Sequence, residues 1–323
     1  MSWPLENQLT AALNRATNGL QQHVLATRVA AMSDGYRAEL INEHRIGMND
    51  RLDALAYAVF RMPATTAAIW ATLGSARATS PDMRPLRHLD LGGGTGAAAW
   101  AAAAVWPGIA TTTVERSVPA VDVGRSLMRA EPRLHVSQKG WIKQDLRTWT
   151  APDSWDLVTL AYVLVELDAP ARAALVAEAA RCARTVVVVE PGTPRGYARV
   201  LEARATLIAK GFTIAAPCPH QEGCPLASGP AWCHFAVRLA RSPLHRVLKG
   251  GTRDFEQEVY SYAVATRAVT SRVEARLIGQ PRKPKGQVIL DVCGRDGGRH
   301  RLSIPKSHER YREARDAGWG DAW

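Results

Sequence analysis

The stretch HLDLGGGTGAAAW, residues 88–100, opens with the apolar pattern of a strand and closes on the alanines of a helix, with a glycine turn between them. It sets Asp90, Gly92, Gly94 and Gly96 in the order D-x-G-x-G-x-G. Glycine lets the backbone turn sharply and approach a ligand closely. The helix that follows points its N-terminus at whatever the turn holds. Gly92, Gly94 and Ala97 also satisfy the dinucleotide pattern G-x-G-x-x-A, so the turn alone does not choose a cofactor. A glycine turn that holds no ligand is a third reading.

Working outward, strand and helix signals alternate from about residue 85 to 240. The strand candidates are RHLDLG, ATTTVE, WIKQDL, WDLVTLAYV, TVVVVEPG, FTIAAP and HFAVRLA. Helix-length segments such as APARAALVAEAARCART and TPRGYARVLEARATLIAKG lie between them. That alternation predicts a doubly wound α/β sheet. Glu115 closes the second strand, where a carboxylate can accept both ribose hydroxyls, and Asp145 closes the third, where an adenine amino group can bind. With Asp90 two residues ahead of the first glycine, the set resembles the Rossmann-like fold of S-adenosylmethionine-dependent methyltransferases. The resemblance favours S-adenosylmethionine over a nicotinamide cofactor.

The flanks differ from this middle. Residues 1–84 read as a helical region, with apolar positions at helical spacing in LTAALNRATNGLQQHVLATRVAAM and DRLDALAYAVFRMPATTAAIWATL. Asn49 and Asp50 offer a cap, and Pro63 is expected to end or kink the second helix. Residues 241–323 read as a basic β-rich extension. They hold 17 Lys+Arg against 10 Asp+Glu, most of the chain's net charge of +11. Within them lie the alternating stretch VYSYAVATRAV, the connector GQPRKPKGQ and a hairpin QVILDVCGRDGGRHRLSI turning at Asp296-Gly297. A closing helix is expected in SHERYREARDAGW. Arg282, Lys283 and Lys285 in the connector, with Arg295, Arg299 and Arg301 on the hairpin, suggest a face for a phosphate backbone. A solvated basic linker is the bland alternative.

At 323 residues there is room for a sizeable core. No stretch reaches the roughly 18 apolar residues of a membrane helix, and the N-terminus lacks a secretory pattern. The expectation is therefore a cytoplasmic, monomeric chain with reduced cysteines, which favours metal over disulfide. Cys218, Cys224, Cys233 and Cys293 stand in the spacing C-x5-C-x8-C-x59-C, three of them in CPHQEGCPLASGPAWCHF. Four soft thiolates suit an iron–sulfur cluster or a tetrahedral zinc. His220 and His234 lie beside them, and Cys182 reads as a small buried residue on a helix.

VVVVEPGTPRG at 186–196, the Cys-Pro pairs, FRMPAT near 60–65, GQVILDVC and YREARDAGWGD together resemble the mitochondrial small-ribosomal-subunit-associated, methyltransferase-like proteins and their bacterial relatives, from about residue 35 onward. The resemblance implies a methyltransferase-like domain with a [4Fe–4S] cluster on Cys218, Cys224, Cys233 and Cys293, zinc being the alternative. It implies work on or with small-subunit ribosomal RNA in ribosome assembly. The chemistry of methyl transfer is less legible. AYVLVEL after the fourth strand is not the N/D-P-P-Y/F signature of amino methylation. Glu166 and Glu190 stand near strand ends, but neither is singled out as a base, and no catalytic residue is named. An RNA methyltransferase and a non-catalytic assembly factor both remain open, with a nicotinamide-dependent redox enzyme as an outsider.

Overall fold

The computed structural model describes residues 3–37, 48–129, 131–250, 253–271 and 273–323. Residues 38–47, inside the stretch that carries the family resemblance, lie outside the described residues.

The N-terminal part is helical: α1 (Glu6–Ala16), α2 (Gln22–Arg37), α3 (Arg51–Phe60) and α4 (Met62–Thr79). The helical pattern over 9–32 is broken between α1 and α2, where Gly19 takes a φ of +79°. Asp50 caps α3 by accepting from the Asp53 N–H. Pro63 sits in the first turn of α4, where its missing N–H leaves no helical bond unmade. It starts the next helix rather than bending the one before.

Strands and helices then alternate as β1 (Arg87–Leu91), α5 (Ala97–Val105), β2 (Ala110–Glu115), α6 (Val118–Arg129), β3 (His135–Lys143) and β4 (Trp155–Ala161). A 3-10 turn at Leu164–Glu166 precedes α7 (Ala169–Cys182), β5 (Ala183–Pro191), α8 (Pro194–Ala209), β6 (Thr213–Ala216) and β7 (Phe235–Ala240). Next come α9 (Pro243–Lys249), β8 (Phe255–Thr266), β9 (Ala275–Leu277), β10 (Gln287–Gly294), β11 (Arg299–Pro305) and α10 (Tyr311–Asp316).

The main sheet has eight strands in the order β3-β2-β1-β4-β5-β8-β6, with β7 also paired to β8. The pairs among β1 to β5 are parallel, and helices cover the sheet. This is the expected α/β, Rossmann-like fold. The chain leaves β1 toward β2 on one side and returns to β4 on the other, which makes the carboxyl end of β1 the switch point of the sheet. Val186–Val189 of β5 are fully buried, as a strand covered on both faces requires.

One expectation changes. The stretch VYSYAVATRAV, assigned by sequence to the basic extension after residue 240, lies largely in β8, and β8 is an inner strand of the main sheet. It runs antiparallel to β5 along one edge and to β6 and β7 along the other. The sheet therefore extends past 240, because β8 supplies backbone partners that β5, β6 and β7 otherwise lack. β6 pairs with residues 264–266 of β8, and β7 with residues 255–260. The two strands lie in line along the same edge, and the chain makes an excursion over 217–234 between them.

β9, β10 and β11 form a second, antiparallel sheet in the order β11-β10-β9. Val288, Leu290, Val292 and Ile304 share a small core with Ala314 of α10. Residues of alternate parity face the other way, so Cys293 and Asp291 share a face with their cross-strand partners Arg299 and Arg301.

Between α9 and β8 lies a buried ionic group. The Glu256 carboxylate, 9% exposed, meets Lys249 at 2.6 Å, His245 at 3.2 Å and Arg241 at 3.3 Å. Burial pushes this carboxyl up, but His245 and Lys249 outweigh it and leave it at about 2. Glu256→Ala leaves Lys249 and Arg241 together without their counter-charge and is expected to cost about 3 kcal/mol in chemical denaturation at pH 7. A folded pKa below the ordinary 4.5 stabilises the fold above that value. The stability gap between wild type and Glu256→Gln should therefore stay constant above about pH 5 and narrow as pH falls toward 2.

Candidate functional site

At the switch point the glycine turn is drawn back onto β2. The amides of Gly92 and Gly93 both donate to the Val114 carbonyl, at 2.8 and 3.3 Å. Gly92, Gly94 and Gly96 take φ values of +73°, +53° and +94°, a region that favours glycine. Beneath them Asp90 is 1% exposed and accepts from the Thr159 hydroxyl at 2.7 Å, while its Oδ2 has no partner among the described residues. Burial raises the Asp90 carboxyl to about 7, and the Glu115 charge adds to the shift.

The same Thr159 hydroxyl lies 2.9 Å from Nε2 of the fully buried His88, whose Nδ1 lies 3.0 Å from the Thr111 hydroxyl. Thr159 has one proton and gives it to Asp90. His88 therefore carries its own proton on Nε2 and accepts from Thr111 at Nδ1. Burial lowers the imidazole to about 3, which keeps it neutral. The base of the glycine turn is fixed by this chain across β2, β1 and β4.

Above the turn, Gly92, Glu115 and Asp145 line one cavity of about 380 Å³, with Leu146 and Val163 as apolar walls. The Glu115 carboxylate accepts from the Gly94 amide at 3.0 Å and the Ser117 amide at 2.8 Å. Asp145 stands two residues beyond β3 and meets Arg147 at 3.3 Å. Gly94 and Gly96 shape the turn from outside the cavity: Gly94 lies near Met48 of the N-terminal region, and Gly96 lies against Trp141 and Met128. This donor and acceptor set fits an adenosine-containing ligand. Sequence reasoning passed over Gly93. Its signal was the unbroken glycine triplet: a Cβ at Gly93 would run into Asp90 Oδ2 and Thr113 Cγ2.

Glu190, at the end of β5, is fully buried and accepts from the Leu164 amide at 3.0 Å, with Arg199 at 3.5 Å. Its carboxylate holds the turn after β4. Glu166 faces Arg116 at 3.8 Å.

The second feature is the excursion over 217–234. It brings Cys218, Cys224 and Cys233 to one cavity of about 530 Å³, and β10 delivers Cys293 to the same cavity. Ser261 of β8, facing the break between β6 and β7, donates to the Cys233 carbonyl at 2.7 Å. Tyr197 of α8 donates to Cys224 Sγ at 3.0 Å, and His220 Nε2 lies 3.3 Å from Cys293 Sγ. His234 packs instead on Trp232 and Trp319. Cys182 is buried on α7, away from this cavity. Burial pushes the thiols of Cys218, Cys233 and Cys293 up, Cys293 to about 12, and neighbouring thiols add to the shift. A cationic metal core reverses that preference by stabilising thiolates. Among the described residues, no group of three or more His, Cys, Asp or Glu side chains converges as a ready metal-ion site. The four thiols line one cavity. Tyr197, Arg204 and Arg276, also on its wall, carried no signal in the sequence.

Of the basic residues singled out by sequence, Arg282 and Arg301 both meet Asp291, at 3.4 and 2.9 Å, and Arg295 meets Glu274 at 2.8 Å. Lys283, Lys285 and Arg299 show no ion pair among the described residues.

Residues 51–323 match the family described as mitochondrial small ribosomal subunit Rsm22. The chain belongs to the Rsm22 family. Two mitochondrial Rsm22-cox11 tandem proteins of Schizosaccharomyces pombe are each 29% identical over 179 residues, 42% of this chain and 24% of theirs. The human mitochondrial ribosome assembly protein METTL17 is 25% identical over 296 residues, 83% of this chain and 62% of its own. The Rsm22-family chain thus spans about a quarter of the tandem proteins and under two thirds of the human one. Among solved structures, magnesium protoporphyrin IX methyltransferase of Synechocystis PCC 6803 with bound SAH aligns over 64% of this chain and 84% of its own, at 15% identity and a TM-score of 0.41. The fold assignment rests on strand order, not on that superposition.

The family and its relatives are described as mitochondrial, which overturns the cytoplasmic placement and points to the mitochondrion. The cytoplasmic expectation rested on patterns that are absent, and an absent pattern names no compartment.

Gly93→Ala is expected to destabilise by about 1–3 kcal/mol through overpacking against Asp90 and Thr113. Gly74→Ala, within α4 and with no atom within 4 Å of the added methyl, is expected to stabilise by about 0.5–1 kcal/mol. Urea denaturation of both variants checks the contrast.

Proposed function

We propose that this chain binds S-adenosylmethionine at the glycine turn, carries a [4Fe–4S] cluster on Cys218, Cys224, Cys233 and Cys293, and works with small-subunit ribosomal RNA in ribosome assembly. The observation that carries the reading is the junction at β10. Cys293 closes the thiol cavity and pairs across the hairpin with Arg299, so the thiols and the basic face share one rigid element. Four soft thiols lining one cavity, three of them from a single loop, support a metal–thiolate centre; the [4Fe–4S] assignment follows the family resemblance, with zinc as the alternative. When bound, the cluster supplies a bond between the main sheet and the hairpin. The protein's part is to bring three thiols from one loop and a fourth from the hairpin.

At the cofactor cavity Glu115 is the acceptor for ribose hydroxyls, and Asp145 for the adenine amino group, with Leu146 and Val163 against the base. Of the two acids near strand ends, Glu166 is on the wall of the cofactor cavity, while Glu190 lies off that wall and is committed to the Leu164 amide and Arg199. The family description and the ribosome-assembly relative support the assembly-factor reading.

Calorimetry with S-adenosylmethionine is expected to show binding that Glu115→Ala weakens by about 1.5–3 kcal/mol. A wild type that shows no heat at millimolar ligand overturns the cofactor assignment. Binding to small-subunit RNA is expected to fall with salt at a log–log slope of about −0.7 to −0.9 per phosphate contact. Replacing Lys283, Lys285 and Arg299 with Ala should flatten that slope by about two to three. An unchanged slope moves the RNA surface elsewhere. Anaerobic protein should hold iron and sulfide, and Cys233→Ser should lose both.

A further inference from the structure

Two arginines are buried against the thiol cavity. Arg204 of α8 is 5% exposed and Arg276 of β9 is 7% exposed. Arg204 donates from Nη2 to the carbonyls of His220 and Glu222, at 3.1 and 2.8 Å, and its Nε has no partner among the described residues. Arg276 donates to the carbonyls of Pro217 and Gly320, at 3.1 and 3.0 Å. Among the described residues neither meets a carboxylate, and no Asp or Glu lines the cavity. Carbonyls orient a guanidinium but leave its charge unbalanced. A buried charge without a counter-charge costs several kcal/mol.

We infer that Arg204 and Arg276 are the counter-charges of the metal–thiolate centre, positioning residues that make the cavity specific for a dianionic group. The inference rests on the four-thiolate reading above. A dicationic core with four thiolates is a dianion, and two guanidinium groups return the cavity to neutrality. Each arginine also ties down the protein around that centre. Arg204 holds the excursion at residues 220 and 222, and Arg276 joins its first residue to the C-terminal tail. The charge that balances the centre and the contacts that close it over come from the same side chains.

The test uses full-length, anaerobically purified protein as wild type, Arg204→Gln, Arg276→Gln and Arg204→Lys. Iron and sulfide per chain, resistance of the centre to a chelator and its midpoint potential are measured. Each Gln variant is expected to lower affinity for the metal by about tenfold or more, in line with other residues that support a ligand shell. In Gln protein that retains a centre, the midpoint potential should move to more negative values, because a cation near the cluster favours the electron. Arg204→Lys keeps the charge and should hold the centre nearly as wild type does. A loaded wild type whose Gln variants keep the same retention and the same potential overturns the inference, as does a Lys variant that loses the centre as Gln does. A wild type containing neither metal nor sulfide instead overturns the thiolate centre itself.

Discussion

β8 has two neighbours in line on one of its edges, and much else follows from that arrangement. Backbone groups of an inner strand must be paired on both sides, and along β8 the partners are β5 on one edge and β6 followed by β7 on the other. The handover from β6 to β7 leaves a short break opposite residues 261–263. The chain leaves the sheet there and returns to the same line. Much of the thiol cavity is arranged around this break: three cysteines on the excursion, Ser261 holding its return at Cys233, and Tyr197 and Arg204 of α8.

The two candidate sites therefore belong to one scaffold but not to one pocket. The glycine turn sits where β1 gives way to its neighbours on either side, and β4, β5 and β8 separate β1 from β6. At about 4.8 Å per strand that is about 19 Å. At the first site the chemistry comes from a polar chain within the sheet, running from Thr111 through His88 and Thr159 to Asp90. At the second it comes from a loop and a foreign hairpin that meet outside the sheet. A change in one need not deform the other.

Much of this was legible in the sequence, and the failures have physical reasons. The turn at Gly92–Gly96, the ends of β2 and β3, and the cysteine quartet each announce themselves through local residue chemistry. Asp50 and Pro63 mark a helix boundary for the same reason, because capping and a missing N–H act within one turn. The alternation in VYSYAVATRAV is legible in the sequence, but its place in the main sheet is not. Its partners Val186–Val189 lie far back in sequence, and an alternating pattern does not name the strand it pairs with. Arg204 and Arg276 looked like two charges among many, since what distinguishes them is burial against a cavity assembled from distant segments. Arg282, Arg295 and Arg301 showed the opposite limit: their charge was evident, but not the carboxylates that already engage them.

The order of strands in space also constrains the order in which the sheet can be completed. β1 to β5 are contiguous in the chain and can pair among themselves as soon as residue 191 has been made. One edge of β5 then has no neighbour until residues 255–266 follow, and that edge carries the run Val186–Val189, fully buried in the finished fold. An unpaired, flat, apolar edge is the kind that other chains add to. During synthesis the protein is thus most exposed to mispairing over the interval that encodes α8, β6, the cysteine excursion and β7, and arrival of β8 ends that exposure on both sides at once.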